Sequence, residues 1–556
     1  MNVRTGVSVW PIVAAAIAVL ISGCSPTRTT SSSVTFIPGV SVPEKLDALF
    51  ENAHVIHYDG SAGIGINHIA YWGMSSEDVA LLPPKEQIKV ARLQPNNISS
   101  TLFSPDVYDP ISGYEVTGIL TAGESENTRV QTVSLVIPDH WNGNLVVFGT
   151  SGVRNEYGTA SLLSPWLLKK GYATIGGDKG LRNGAADLYA GKHITRHWGR
   201  LMIDLAIAGM QTIKASTGVD PKQVYTVGVS NGGLQSRLAL EIDHARVKDG
   251  QERIFDGGLT WSAVYFPRAE IMDGNQDGEV TPVEYAEKSN YTLIGTHICA
   301  ALTMGWFYDE NSAANTIAFN LRPAFSSVYD KMVSECGFHS DSAPIWGVYS
   351  AFFDRLKDNE GRRHLAGLGY FNRVPQSFLA EFRGDNEFQS RKYSPRNIGV
   401  VGQPIKPTFY SFMDKNKRTL GFTEEAVEHM LEISNTAEFS VPLIEIQGTK
   451  DGIISLKGQA YAYRDAVSQF GNPDLHRLYL IKDGMHIETH ADPGTHIDFD
   501  LNGVANDVNI ADEMTPVQGY AEIAMDKLEA WVENGITPVK GGLVATDTKN
   551  DKVIPF

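Results

Sequence analysis

A serine set between two glycines is the feature that most constrains what this chain can fold into. Segment 228–232 reads Gly-Val-Ser-Asn-Gly, follows the β-branched run 224–227 and precedes a helical pattern over residues 233–241. This order predicts a strand, a sharp turn and a helix, with Ser230 at the apex of the turn. Side chains two residues to either side of the serine would collide with the strand and the helix, which explains the glycines.

Ser230 in that position would point its hydroxyl out of the top of a parallel sheet, beside backbone N–H groups at the start of a helix. Such N–H groups stabilise the negative oxygen that forms when a nucleophile attacks a carbonyl group. The segment therefore predicts a nucleophilic serine. An ordinary glycine-rich turn between a strand and a helix is the alternative, because so short a motif also arises by chance.

The composition excludes several classes of partner. The chain has 556 residues, of which 64 are acidic and 47 basic, so its formal net charge is −17. This excess of negative charge argues against nucleic acid or an anionic lipid surface as the main partner. Hydrophobic residues at 42% and charged residues at 20% are typical of a globular protein with a buried core.

The N-terminus has the pattern of an export signal. Arg4 precedes an apolar run over residues 7–21, which is short for a membrane span and is followed at once by small residues. The sequence Ile21-Ser22-Gly23-Cys24 resembles the bacterial lipobox, in which the cysteine becomes the lipid-modified first residue. We therefore expect a signal peptide over residues 1–23 and a protein anchored to the cell envelope through Cys24, without spanning the membrane. Ser25 favours the outer membrane, and a plain signal peptide with an incidental cysteine is the alternative.

The next residues and the remaining cysteines suit an extracytoplasmic protein. Residues 24–35 are polar and lack a hydrophobic face, so we interpret them as a tether. Once Cys24 is acylated, Cys299 and Cys336 remain, and in an oxidising compartment such a pair is a candidate disulfide. Two buried free thiols are the alternative.

Apolar strands alternate with helical patterns over much of the chain. Strands are predicted near 132–138, 145–148, 172–175, 224–227, 443–446 and 478–481, with helices near 160–170 and 201–215. This alternation predicts an α/β fold with a mainly parallel sheet that helices cover on both faces. The rhythm breaks after Leu259 and resumes at Pro442, which predicts a large inserted lid. The expected parts are an N-terminal core over 36–265, a lid over 266–438, a C-terminal core over 439–540 and a tail over 541–556.

A nucleophilic serine needs a base, and the base needs an acid that orients it. In the α/β-hydrolase fold these follow in the order serine, acid, histidine. Asp451 comes just after strand 443–446, and His486 comes just after strand 478–481, where loops at a sheet edge converge. We therefore predict a triad of Ser230, Asp451 and His486. Asp492 is the alternative acid, and His490 and His496 are alternative bases.

The oxyanion is expected to bind backbone N–H groups from two loops. One is that of Asn231, the residue after the nucleophile, and the other belongs to Ser151 or Gly152 in the loop after strand 145–148. Asp178 and Lys179 follow another strand. The sequence leaves open whether they shape the cleft or form an ion-paired loop.

Segment 273–284 has the pattern of a twelve-residue calcium loop. It has oxygen-bearing side chains at its first, third, fifth and ninth positions, glycine at the sixth, an apolar eighth and glutamate at the twelfth. We expect a structural Ca²⁺ rather than a sensor, because no good helix precedes the loop, and an acidic surface turn is the alternative. The predicted ligands are Asp273, Asn275, Asp277, Glu279, Thr281 and Glu284. No organic cofactor is expected.

Several of these motifs resemble known families. Segments 171–178, 228–232, 255–258 and 528–535, together with the calcium loop, resemble the tannase and feruloyl esterase family. That family has cysteines beside its nucleophile and histidine, whereas this chain has Val229 and Ile487. Segments 151–154, 157–158, 178–180 and 229–233 are more similar to extracellular hydrolases of 3-hydroxybutyrate oligomers. This second resemblance implies cleavage of short aliphatic polyester fragments.

The sequence thus supports three hypotheses. The first is a lipid-anchored serine esterase that hydrolyses carboxylic esters, with 3-hydroxybutyrate oligomers as the expected substrate. The second is an esterase of the feruloyl or tannin type, which would act on aromatic esters. The third is a surface lipoprotein that has a hydrolase fold without catalytic activity. Its role would be binding, and Ca²⁺ would be its only bound ion.

Overall fold

The computed structural model describes most of the predicted core. It describes residues 49–68, 76–90, 109–123, 128–182, 193–287, 424–449, 451–486 and 515–546, with short gaps in some of these ranges, and residues 554 and 556. All of them belong to one compact unit over 36–556. Each helix in these ranges is too short or too polar to cross a membrane. The predictions for Cys24, Cys299, Cys336, Asp492, His490, His496 and most of the lid lie outside the described residues.

A single mixed sheet forms the centre of the described part. Its strands are β1 Glu51–Tyr58, β2 Gly113–Ala122, β3 Arg129–Pro138, β4 Asn144–Gly149, β5 Ala173–Gly177, β6 Gln223–Val229, β7 Gly257–Trp261, β8 Leu443–Gly448, β9 His476–Ile481 and β10 Gly542–Val544. The strand order is β1-β2-β3-β5-β4-β6-β7-β8-β9-β10. The pairs β1–β2, β2–β3 and β3–β5 are antiparallel, and each neighbouring pair from β5 to β10 is parallel.

Helices pack on both faces of this sheet. The described helices are α1 Ser76–Ala80, α2 Ala160–Lys169, α3 Trp198–Thr217, α4 Asn231–Lys248, α5 Ala269–Met272, α6 Pro282–Glu287, α7 Glu424–Glu432, α8 Ala462–Phe470 and α9 Gln518–Asn534. Helices α3, α4 and α8 cover one face, and α2 and α9 cover the other. The α/β-hydrolase architecture predicted from the sequence is therefore confirmed.

Strand β4 shows why this sequence needs two helical layers. Successive side chains of a strand point to opposite faces of the sheet. Leu145 and Val147 pack in the core beneath α3, whereas Val146 and Phe148 pack in the core beneath α9. A strand that is apolar at every position can be buried only when both faces are covered.

Four strands were missing from the sequence prediction, namely β1, β2, β7 and β10. Strand β7 lies where the alternating pattern breaks, and two of its five residues are glycines, which weaken a hydrophobic pattern. Strand β10 lies in the segment 541–556 that was predicted to be a tail, and it pairs with β9. Because β7 and β8 are parallel neighbours, residues 262–442 are an insertion in the chain between two adjacent strands of one sheet. That residues 266–438 form a lid stays a prediction.

A buried ion pair attaches α4 to the strands beside it. Arg237 is 1% exposed, and its Nε donates to Glu445 Oε1 at 2.6 Å. Thr260 Oγ1 donates to the same oxygen at 2.8 Å, and His476 Nε2 lies 2.7 Å from Glu445 Oε2. The guanidinium also stacks 3.8 Å above the centre of the Tyr463 ring. These contacts connect the helix that follows Ser230 to β7, β8, β9 and α8.

The surroundings of Glu445 keep it ionised. Burial alone would raise the pKa of this carboxyl, but the charges and hydrogen bonds of Arg237 and His476 outweigh burial and lower the pKa to about 2. A carboxyl whose pKa is lower in the folded state than in the unfolded state stabilises the fold above the unfolded pKa. That contribution is lost as the pH falls from 4.5 toward about 2.

We predict that Glu445→Gln destabilises the protein by about 3–5 kcal/mol at pH 7, because it leaves the Arg237 charge buried without its partner. The difference from wild type should shrink as the pH falls below 4.5. Urea unfolding between pH 3 and pH 8 measures both effects. The control is Asp220→Asn, which removes the exposed pair with Lys214 and should cost less than about 1 kcal/mol. A Glu445→Gln deficit of equal size at pH 3 and pH 7 would contradict the prediction.

Candidate active site

The strand, turn and helix predicted around Ser230 are observed. Ser230 lies between β6 and α4, is partly exposed, and has a φ of 58° and a ψ of −121°, which are strained for a residue with a side chain. Backbone contacts hold it there. Its N–H donates to the Trp261 carbonyl at 2.9 Å, and its carbonyl accepts the N–H groups of Gly233 at 2.9 Å and Val264 at 3.2 Å.

Three glycines allow the backbone to come this close. A Cβ atom on Gly228 would lie 2.0 Å from the Gly232 carbonyl oxygen. A Cβ atom on Gly232 would lie 2.1 Å from the carbonyl oxygen of Gly149, at the end of β4. The glycines two residues to either side of Ser230 are therefore required by contact, and the loop after β4 lies directly against the turn.

Asp451 and His486 are in direct contact. Asp451 follows β8, His486 follows β9, and Asp451 Oδ2 lies 2.8 Å from His486 Nδ1. A carboxylate only accepts hydrogen bonds, so Nδ1 carries the proton and Nε2 is left with its lone pair. Both side chains are buried. The pairing of these two residues is therefore the one expected of an acid and the base that it orients.

Several groups keep Asp451 ionised. Burial would raise the pKa of this carboxyl, but the electrostatic interaction with His486 and the hydrogen bonds around the carboxylate lower it below its usual value. The N–H of Ile454 donates to Oδ1 at 2.9 Å, and Gln447 Nε2 donates to Oδ2 at 3.0 Å. The carboxylate is thus held in one orientation and charged at neutral pH.

The segment after β7 connects the Ser230 turn to Asp451. Trp261 and Val264 bond to the Ser230 backbone, and the N–H of Ser262 donates to the Ile446 carbonyl at 2.9 Å. The Ser262 side chain also lowers the pKa of Asp451. Sequence reasoning missed Ser262, since its only signal is a positive φ of 47°, which the sequence does not reveal.

Strand order brings the predicted triad residues to one edge of the sheet. Strands β6, β7, β8 and β9 are successive parallel neighbours, so their C-terminal ends lie side by side. Ser230 follows β6, Asp451 follows β8 and His486 follows β9. In open α/β sheets, ligands bind beyond these strand ends.

The predicted oxyanion loop lies beside the start of α4. Asn231 is the first residue of that helix, so its N–H has no acceptor in a preceding helical turn. Its side-chain Nδ2 donates to the Gly152 carbonyl at 3.4 Å. One helical turn further on, Gln235 Oε1 accepts the N–H of Thr150 at 2.8 Å. These bonds bring the loop 150–152 beside Asn231. Oxyanion binding by Asn231 and by Ser151 or Gly152 stays a prediction.

The amine of Lys179 binds carbonyl groups of this loop and does not bind the Asp178 carboxylate. Its Nζ donates to the Thr150 carbonyl at 2.8 Å and also to the Gly152 carbonyl. Asp178 accepts the N–H of Gly180 at 3.0 Å, and burial raises the pKa of its carboxyl to about 6. The sequence left open whether Asp178 and Lys179 form an ion pair. In the structure they do not pair with each other.

The predicted calcium segment forms a closed loop. Asp273 Oδ2 accepts the N–H of Gly278 at 2.9 Å, and Glu284 Oε1 accepts the N–H of Asn275 at 3.0 Å. Hydrogen bonds from Thr281 to Glu284 lower the pKa of this carboxyl. Oxygen donors of this kind are those that Ca²⁺ takes. Within the described residues no three acidic, histidine or cysteine side chains converge on one point, and calcium binding stays a prediction.

No protein-family model matches the chain, and no curated protein sequence matches it. Solved structures similar to it include feruloyl esterase B from Aspergillus oryzae, at 14% identity over 79% of this chain and 85% of that one, with a TM-score of 0.40. Tannin acyl hydrolase from Aspergillus niger is 14% identical over 77% and 80%, with a TM-score of 0.36. The rice cell wall degrading esterase LipA from Xanthomonas oryzae is 13% identical over 70% and 88%, with a TM-score of 0.38.

Proposed function

We propose that this chain is a serine esterase that hydrolyses carboxylic esters, with Ser230, His486 and Asp451 as its triad. The observation that carries the proposal is the 2.8 Å contact between Asp451 and His486 at the edge of the sheet where the strained Ser230 turn also lies. A buried carboxylate that fixes a histidine tautomer is the arrangement a general base needs. The glycine contacts that force Ser230 into its turn support the same function.

In the proposed mechanism, Ser230 Oγ attacks the ester carbonyl carbon while His486 Nε2 takes the hydroxyl proton. The carbonyl oxygen becomes an oxyanion, which accepts hydrogen bonds from the N–H of Asn231 and that of Ser151 or Gly152. His486 then gives its proton to the leaving alcohol as the ester C–O bond breaks. Water, deprotonated by His486, releases the acid from Ser230 and restores the enzyme. Asp451 stabilises the imidazolium that forms in each half-reaction.

We predict that a fluorophosphonate probe labels the wild-type protein and fails to label Ser230→Ala. Asp451→Asn should lower kcat by roughly 10⁴-fold, because the histidine then loses the partner that fixes its tautomer. Steady-state hydrolysis of a p-nitrophenyl ester measures kcat. The matched control is Ser216→Ala, whose hydroxyl bonds to the Thr212 carbonyl within α3 and should leave both readouts unchanged. Absence of labelling in the wild type would favour the non-catalytic, calcium-binding scaffold.

As the substrate class we propose 3-hydroxybutyrate oligomers or related short aliphatic esters. This choice depends on the sequence motifs around Ser151, Lys179 and Ser230, and an aromatic ester of the feruloyl or tannin type is the alternative. We predict a kcat/KM at least about tenfold higher for a 3-hydroxybutyrate trimer than for methyl ferulate, since a pocket shaped for one acyl group discriminates by that order. Initial rates of hydrolysis, measured for both esters, give this ratio. A higher kcat/KM for methyl ferulate would assign the enzyme to the aromatic class.

We also propose that segment 273–284 binds a structural Ca²⁺ through the six predicted ligands. A ligand that binds only the folded state stabilises it by about 2.7 kcal/mol at a concentration of 100 times Kd. We predict that Ca²⁺ raises Tm and that Asp273→Asn together with Glu284→Gln abolishes this rise, as thermal unfolding with and without a chelator would measure. Asp220→Asn serves as the control acid outside the loop. An equal response of the double variant to Ca²⁺ would exclude the site. Lipid attachment at Cys24 stays a prediction from the sequence.

A further inference from the structure

Lys179 is a buried lysine whose partners are unusual. It is 1% exposed, and among the described residues no carboxylate acts on its amine, whose neighbouring charge is that of Arg154. Instead, its Nζ donates to the carbonyl oxygens of Thr150 and Gly152 and lies 4.4 Å above the centre of the Trp198 ring. Burying an amine costs free energy unless hydrogen bonds compensate. Here the compensation comes from two carbonyls of a single loop.

Those two carbonyls belong to the loop that is expected to bind the oxyanion. A peptide unit is planar and trans, so its C=O and N–H point in opposite directions. When Lys179 fixes the Thr150 carbonyl, it also fixes the direction of the Ser151 N–H, away from the buried amine. The bond to the Gly152 carbonyl fixes the peptide unit that follows Gly152 in the same way. The lysine thereby orients the Ser151 N–H directly and restrains the unit that carries the Gly152 N–H from both sides.

Other contacts support the start of the loop more firmly than its end. Gly149 packs against Gly232, and Thr150 donates its N–H to Gln235. Gly152, in contrast, has a positive φ of 55°, and a Cβ atom placed on it would meet nothing within 4 Å in the part of the chain that the structure describes. Packing therefore contributes little to the position of Gly152. Hydrogen bonds from Lys179 and Asn231 to its carbonyl hold the residue instead.

We propose that Lys179 is a positioning residue, which orients the oxyanion-binding loop 150–152 through the two carbonyls; this inference rests on the proposed function. Burial and the nearby charge of Arg154 lower the pKa of the Lys179 amine. Both the charged and the neutral amine have at least two N–H groups, so both carbonyls remain bound in either state. The role of Lys179 is thus geometric, and it requires no proton transfer.

The test is Lys179→Met, which keeps the length of the side chain and removes its donors. Loss of one oxyanion donor costs about 10²–10³-fold in kcat, so we expect disorder of this loop to lower kcat by roughly 10–100-fold while KM changes by less than about threefold. A boronic acid mimics the tetrahedral state, and its affinity should fall by a similar factor. The matched control is Lys222→Met, since Lys222 Nζ donates to the Asn142 carbonyl at 3.3 Å and lies at the opposite end of the strands.

Three outcomes separate this inference from the proposed function. If wild type hydrolyses esters and a folded Lys179→Met keeps its kcat and boronate affinity, the positioning role is overturned while the esterase stands. A loss of kcat without a loss of boronate affinity also overturns it. If Lys179→Met does not fold, Lys179→Gln, whose amide reaches one bond less far, is measured against the same expectations. Wild type without esterase activity or probe labelling would remove the proposed function itself.

Discussion

The backbones of Gly149 and Gly232 touch with no room for a side chain between them, and the geometry of the site depends on that contact. It joins the end of β4 to the first turn of α4: β4 pairs with β6 in the sheet, and α4 follows β6 in the chain. Because the contact leaves so little space, the turn between β6 and α4 must be sharp, and Ser230 takes strained dihedral angles at its apex. The same contact brings the loop after β4 beside Asn231. One steric constraint therefore determines the positions of both the serine and the loop facing it.

Helix α4 must be held firmly for that contact to persist. Two buried side chains, one helical turn apart, bond the helix to neighbouring segments. Arg237 bonds to Glu445 on β8 and to the carbonyl of Val264, just after β7. One turn later, Glu241 accepts the N–H groups of Thr436 and Ala437, which precede β8. These segments lie at the two ends of the insertion between β7 and β8. The helix that follows Ser230 thus also fixes where the insertion leaves the core and where it returns.

Buried ionisable groups near the site are compensated in different ways. Arg237 has a carboxylate partner, Asp451 is paired with His486 and receives N–H donors, and Lys179 donates to carbonyl oxygens above the Trp198 ring. An ion pair between side chains fixes elements to each other, as Arg237 fixes α4 to the sheet. A lysine bound to carbonyls instead fixes peptide planes within one loop. The type of partner therefore determines what each group holds in place: Arg237 holds a helix on the sheet, and Lys179 holds the peptide planes of one loop.

The sequence by itself determined the features that have a local pattern. Apolar strands such as β4 and β8 were predicted because both of their faces are buried, and the Ser230 turn was predicted because its glycines stand at fixed offsets. The order of Asp451 and His486 after their strands predicted the acid and base, and the two side chains are in contact. Only the tertiary structure decided which other residues support the site. Ser262 and Lys179 have positive φ angles and partners far away in sequence, and β7 and β10 are strands because of the neighbours that they pair with. Such contacts depend on long-range packing, which produces no periodic pattern of residue types in the sequence.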